Sequence, residues 1–437
     1  MDQSIIRITK ELSELQKGND LSLAVSCRDI DVRNVRALIM GPHGTPYEFG
    51  FFEFTVKFDK DYPSKPPHVR CITTNYGHTR FNPNIYANGK VCLSILGTWR
   101  GEPGEQWSSA QGLESILLSI QSLMSSNPYE NEPGFEDARS PEDKKQQQRY
   151  RDKIRHETLR VSIINRLEMY LDITPDGAAK PKQPEIDEDP SASYEPFKDI
   201  CKRRFLWYHE QYLADIKQGQ ADNKEGSSFT RMAFEAGSNC MEGTFRYLEL
   251  ERRFHNIKKA LYAEEEAWIK QGAQSAANEE TVAVNLSHQF KQVALILKGG
   301  DMPHSVELVD DNPFVWLFSY FGRPMTNLDG GLFRMRIVFS PRFPEEQPRI
   351  RFLTKIFHHL ITSDGVPCST PKTGKRDDAK CHIDSVISLL EDEEPAYDPR
   401  KIVNPEAHRL YWGKDADSRK KYNRRLRRCA QDSMDDM

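Results

Sequence analysis

Along the first seventy residues the apolar positions change period in a defined order. Ile5, Ile8, Leu12 and Leu15 recur three and four apart, which predicts an amphipathic helix ending near Gly18. "LSLAVSC" then alternates, "NVRALIMGP" is more continuously apolar, and "FFEFTVKF" sets Phe52, Phe54, Val56 and Phe58 on one face. Three such runs predict an antiparallel meander. Proline cannot donate to a sheet ladder, so Pro63, Pro66 and Pro67 in "DYPSKPPHVRCI" mark a rigid turn before a last strand around Val69 to Thr73. Further on, Leu113, Ile116, Leu117, Ile120, Leu123 and Met124 predict a helix buried on one side. Another is expected from "SPED", where Ser140 can cap, Pro141 suits the first turn and Asp143 favours the helix dipole.

The pattern is interrupted and then returns. Residues 175–194, "PDGAAKPKQPEIDEDPSASY", have the proline, glycine and acidic content of a linker. Two long helical stretches follow, roughly Glu195 to Lys217 and Phe229 to Gln271, the second with Phe245, Leu248, Phe254, Ile257 and Leu261 on one side. Beyond Val284 come a helix with Phe290, Val293 and Leu297, strands in "HSVELVDD", "FVWLFSYFG" and "LFRMRIVF", and a proline-punctuated turn, "SPRFPEEQPRIRF". A second copy of one α+β architecture is the economical explanation. The expected divisions are a first domain over 1–174, a linker over 175–194, a helical spacer over 195–283 and a second domain over 284–437.

Composition narrows the class. With 437 residues the chain exceeds what one core usually supports, and a formal net charge of −4 argues against a dedicated nucleic-acid binder. No run approaches the roughly 18 apolar residues that span a bilayer, and "MDQSIIRITKELSEL" is not a signal peptide, so no membrane partner is expected. The eight cysteines are scattered without a C-x-x-C pair, which favours a reducing compartment, cytoplasmic or nuclear.

In "FNPNIYANGKVCLSIL" Cys92 follows Asn84 by eight residues. Together with "YPSKPPHV", Trp107 in "QWSSAQGLESILLSIQSLM" and "NPYENEPGFE", this segment resembles the ubiquitin-conjugating enzymes in order and spacing, most of all their large Z-class members. The resemblance covers about Met1 to Leu171 and implies a tandem ubiquitin-conjugating-type fold when the second copy is included. It implies that Cys92 takes ubiquitin or a ubiquitin-like protein as a thioester from an activating enzyme and surrenders it to a substrate lysine. A thiol suits that task, because its thiolate attacks a thioester readily and the product stays reactive toward amines. Asn84 would stabilise the oxyanion formed when lysine attacks. Glu132 in "NEPGFE" best fits the family's acidic gate residue, with Tyr129 and Asn131 nearby as contact residues. Tyr62, Pro63, Pro66, Trp107, Ser108 and Ser109 fall on the loops that usually meet a ubiquitin ligase. No metal or small cofactor is implied, since adenylation happens on the activating enzyme.

Two departures stand out. The family's histidine-proline-asparagine reads Asn82-Pro83-Asn84, and Ser109 stands where many members carry a proline, which puts ordinary RING docking in question. In the second copy Cys368 falls where the nucleophile belongs, but counting back eight gives Leu360, and Pro367 precedes the thiol. A degenerate conjugating domain is therefore expected there, one that selects protein substrates, binds a ligase or forms a homodimer. His358, His359, Cys368, Cys381 and His382 match no standard zinc spacing. The basic run from Arg419 to Arg428 reads as a solvated helix face or a nuclear address. A rival reading of the whole chain is a non-catalytic scaffold that binds ubiquitin or ligases. A cysteine protease using His78 is a weaker alternative, because it would need its own cleft and orienting residue.

Overall fold

The computed structural model describes all residues except Met1, Asn19, 102–103, 181–193, 372–373 and 436–437, so most of the expected linker lies outside the described residues. The chain divides into two compact units, residues 1–201 with 213–257, and residues 202–212 with 258–437.

The first unit opens with α1 (Gln3–Lys17), whose Asp2 side chain caps Ser4 N and whose Ile8 and Leu12 are buried. Four strands follow, β1 (Leu23–Arg28), β2 (Asp31–Met40), β3 (Phe51–Lys57) and β4 (His68–Cys71), joined in that order as an antiparallel meander. Val35 pairs with Val56 and Ala37 with Phe54. Phe52, Phe54, Val56 and Phe58 are all buried and pack in one cluster with Leu113, Ile116, Leu117 and Ile120 of α2 (Leu113–Leu123). Ser140 caps α3 (Pro141–Glu157) as expected, and Asp143, expected only to favour the helix dipole, also bonds back to Ser140 to complete a capping box.

That helix continues through a wider π-helical stretch, Thr158–Asn165, into α4 (Arg166–Tyr170). Glu53 explains why the second sheet face is also covered: it is buried and bonds Arg36 at 2.6 Å and Arg166 at 2.5 Å. A buried carboxylate needs such partners.

Helix α5 (Lys198–Asp222) agrees with the apolar pattern, but the next helix, α6, starts only at Tyr247 and runs to Ala277. Residues 227–245 instead fold back on themselves, with Phe229 N bonding Gly243 O at 2.8 Å and Phe245 N bonding Ser227 O at 2.9 Å. A Cβ at Gly243 would sit 2.6 Å from the Phe229 ring, so the close approach requires glycine. This strap packs on the first unit. Phe234 contacts Tyr129, Phe135 and Tyr150, and Lys153 forms a fully buried ion pair with Glu235 at 2.6 Å.

The second unit repeats the plan. After α7 (Thr281–Lys298) come β5 (Ser305–Val309), β6 (Asn312–Phe321), β7 (Leu332–Val338) and β8 (Arg349–Phe352), again in sequential antiparallel order. Helices α8 (Ala379–Glu391), α9 (Pro405–Tyr411) and α10 (Ala416–Asp435) complete it. The correspondence extends to irregularities, since the first strand pair of each sheet shifts register at its end, between Cys27 and Arg28 and between Leu308 and Val309. Among the described residues no helix is long and apolar enough to cross a membrane.

Candidate active site around Cys92

Main-chain bonds fix the Cys92 loop. Cys92 N donates to Asn84 O at 2.8 Å, Cys71 N to Gly89 O at 2.8 Å, and Tyr86 N to Lys90 O at 2.9 Å. Gly89 has φ of +88°, and a Cβ there would lie 2.4 Å from Cys71 O, so only glycine allows the turn. Asn84 Nδ2 donates to Cys92 O at 3.0 Å, which holds the amide beside the cysteine. An amide nitrogen has two hydrogens, leaving one for another acceptor.

Asn82, where the family usually has histidine, is buried and fully engaged. Its amide donates to Leu123 O at 2.8 Å and Tyr47 Oη at 3.0 Å, and its oxygen accepts from Asn84 N at 2.9 Å and Asn131 Nδ2 at 3.3 Å. Tyr47 Oη donates in turn to Phe81 O at 2.6 Å. The substitution thus leaves a satisfied network that supports the Asn84 backbone. Asn131, expected nearby, belongs to it.

Glu132 accepts from Arg80 Nη2 at 3.1 Å. The same nitrogen donates to Pro83 O at 2.6 Å, so a nearly buried guanidinium joins the carboxylate to the cysteine loop. Burial pushes the Glu132 carboxyl above its usual range, with Arg80 opposing. Arg80 also lies 4.8 Å from the ring centre of Tyr86, whose phenol neighbours Cys92. Burial, then the neighbouring Cys92, raise that phenol. The strap reaches the same place, with Asn239 Oδ1 accepting from Ala87 N at 3.4 Å and Phe234 lying 5.7 Å from the Arg80 guanidinium.

Sequence reasoning missed Arg80, Tyr86 and the strap. "RFNPNIY" offers both side chains, but neither arginine nor tyrosine signals a role without knowing that the loop folds them toward Cys92 and Glu132.

The expected ligase-facing residues divide between interior and surface. Tyr62 is buried, its hydroxyl bonded to Glu11 at 2.7 Å, and Glu11 also accepts from Leu113 N at 2.9 Å, tying α1 and α2 to the proline turn. Trp107 Nε1 donates to Pro63 O at 2.8 Å. Pro66 and Trp107 line an open recess with Ser64, Ser94, Trp99 and Arg100, while Ser108 and Ser109 are exposed beside it. The half-exposed Trp99 is an unexpected member. Tyr129 is interior, edge-on to Phe135 and Tyr150, so it shapes its loop from beneath.

In the second unit Cys368 N donates to Leu360 O at 2.8 Å, the counterpart of the Cys92–Asn84 bond. Leu360 has no donor to offer. Cys368 is buried, and burial pushes its thiol up to about 11 despite Arg204 and Lys401. His358 and His359 bond within their own loop and to Tyr422. Among the described residues no group of three or more His, Cys, Asp or Glu is arranged to hold a metal ion.

The loop, the meander and the repeated plan agree with the family described as "Ubiquitin-conjugating enzyme", whose sequence profile matches residues 7–158 and again 289–428. The chain belongs to that family. It is 50% identical over 166 residues to "Ubiquitin-conjugating enzyme E2 Z" of Danio rerio, covering 38% of this chain and 49% of that protein. To the protein of the same name from Homo sapiens it is 42% identical over 215 residues, covering 49% and 53%. It is 33% identical over 231 residues to the human "Dual E2 ubiquitin-conjugating enzyme/E3 ubiquitin-protein ligase BIRC6", covering 51% of this chain and 4% of that protein. The chain thus spans about half the length of the E2 Z relatives.

Proposed function

We propose that this chain accepts ubiquitin or a ubiquitin-like protein on Cys92 and passes it to a lysine. The Cys92 thiolate attacks the thioester carried by an activating enzyme, a new S–C bond forms, and the activating enzyme's thiolate leaves. A lysine amine then attacks the same carbonyl carbon. The negative charge on its oxygen is met by the second Asn84 Nδ2 hydrogen, the Glu132 carboxylate takes the proton lost by the amine, and the intermediate collapses with Cys92 as leaving group. Arg80 positions Glu132, and Tyr86 and the strap shape the entrance.

The observation that carries this reading is the Asn84 amide at 3.0 Å from Cys92 O, on a loop whose second-unit counterpart keeps the main-chain bond and has Leu360 instead. A scaffold would have no chemical use for that difference. The recess at Pro66, Trp99 and Trp107 is the proposed meeting surface for activating enzyme and ligase, and the second unit is proposed to hold protein substrates. Eight free cysteines support work in a reducing compartment, cytoplasm or nucleus.

The test is incubation with ubiquitin, an activating enzyme and ATP, read on reducing and non-reducing gels. Wild type should form a reductant-sensitive adduct, Cys92→Ser a slower reductant-resistant ester, and Cys92→Ala none. Full charging of Cys92→Ala would place the chemistry elsewhere.

A further inference from the structure

Four side chains share one face of the Cys92 loop. Ile85 and Val91 form an antiparallel bridge, and both are buried in the core. Side chains alternate along paired strands, so Asn84, Tyr86, Lys90 and Cys92 project from the opposite face. Main-chain bonds lock the register, from Cys92 N to Asn84 O at 2.8 Å and from Tyr86 N to Lys90 O at 2.9 Å. In the second unit Ile361 bridges Pro367, and Thr362 N donates to Val366 O at 3.0 Å. The equivalent face there carries Leu360, Thr362, Val366 and Cys368. The unit that lacks the Asn84 amide therefore also lacks the Lys90 amine.

Lys90 has no part in the transfer proposed above, yet its place on this face is closely defined. It follows the Gly89 turn, and its N–H donates to Asn88 Oδ1 at 3.0 Å. The side chain is exposed. Among the described residues no carboxylate pairs with its amine, and its bridge partner on β4 is another cation, Arg70. Its Nζ lies 5.8 Å from the ring centre of Tyr86, whose phenol neighbours Cys92.

Two residues along a strand span about 6.7 Å, a distance that the flexible four-carbon stem of lysine covers. Lys90 is also the one lysine between Lys65 and Lys144, a stretch that holds β4, the Cys92 loop, α2 and Glu132. An amine tethered in this way meets a thioester on Cys92 without a diffusional encounter.

We propose that Lys90 is a self-modification site: once Cys92 carries the modifier, the Lys90 amine attacks the thioester carbonyl of its own chain. The inference rests on the charging of Cys92 proposed above. A new N–C isopeptide bond forms and the S–C bond breaks. The proton shed by the amine returns through solvent to the departing Cys92 thiolate. The product carries the modifier beside its own nucleophile, which marks a chain that was charged without meeting a substrate.

The test charges the full chain with ubiquitin, an activating enzyme and ATP, removes the ATP, and follows the thioester without any added acceptor on reducing and non-reducing gels. A reductant-resistant band should replace the thioester at a rate unchanged by tenfold dilution. Mass spectrometry of the digested chain should place the isopeptide on Lys90. Lys90→Arg, which keeps the cation, should charge normally and form the resistant product at least tenfold more slowly. Charging of Cys92 with Lys90 left free, an isopeptide on other lysines instead, a rate that falls on dilution, or a resistant band undiminished in Lys90→Arg overturns this inference and leaves the proposed function standing. No thioester on Cys92 removes the proposed function, and this inference with it.

Discussion

Replacing Glu235 by leucine tests whether the strap is an integral part of the first unit. Lys153 Nζ is fully buried, with Glu235 oxygens at 2.6 and 2.8 Å and Thr230 O at 3.1 Å, and Glu235 also accepts from Met232 N at 3.0 Å. In Glu235→Leu the ammonium keeps Thr230 O as its one hydrogen-bond acceptor among the described residues. Breaking such a pair costs about 3–5 kcal/mol. Deprotonation sets a ceiling: starting from an ordinary value near 10.4, neutralising the lysine at pH 7 costs about 4.6 kcal/mol. At roughly 2–4 °C per kcal/mol for a domain of this size, the first unit should melt on the order of 10 °C lower.

The sign of the pH dependence follows. Burial already lowers the proton affinity of Lys153, and Glu235 opposes it, so removing Glu235 drops it further. The folded variant then lacks a proton that the unfolded chain holds, and the deficit should shrink by about 1.4 kcal/mol per pH unit above neutrality, up to the unfolded lysine value. Scanning calorimetry from pH 7 to 9, with hydrogen exchange reporting opening of residues 223–246, measures both effects. Lys153→Met with Glu235→Leu should recover most of the loss. An unchanged melting temperature with flat pH dependence, or a double variant no better than the single, refutes the reasoning.

Asn84→Ala should still charge but discharge to free lysine roughly a hundredfold more slowly in single-turnover assays, whereas equal defects in both steps would indicate a collapsed loop. Glu132→Ala should slow discharge most near neutral pH and least at high pH, where the amine loses its proton unaided. In wild type, transfer should fall on acidification at a pH above the usual carboxylate range, because burial raises Glu132. Cys368→Ala should leave both charging and discharge unchanged, since that thiol stays protonated and has no oxyanion donor.

Much of the fold was legible because it rests on local pattern. The alternation through Phe52, Phe54 and Val56, the spacing of Ile8 and Leu12, and the Ser140 cap each specify an element from neighbouring residues alone. The eight-residue offset likewise carried Asn84, Cys92, Leu360 and Cys368 to matching positions in two loops. What stayed hidden depends on long-range partners. In "FTRMAFEAGSNCMEGTF" the apolar period continued by Phe245 predicts helix, but Gly243 and the packing of Phe234 and Glu235 pull the segment into a strap. Arg80 and Tyr86 gain meaning only once the loop closes around Cys92.

The paired Gly89–Cys71 and Gly365–Phe352 bonds, both 2.8 Å, separate shape from reactivity. Each loop is cast by glycine and peptide groups, which are indifferent to whether position 84 or 360 carries an amide. Natural variation at those two side chains can therefore switch chemistry on or off without recasting the loop. A lineage carrying both copies has a spare mould in which another reaction, or a binding pocket, can be tried while the proposed transfer stays with the first copy.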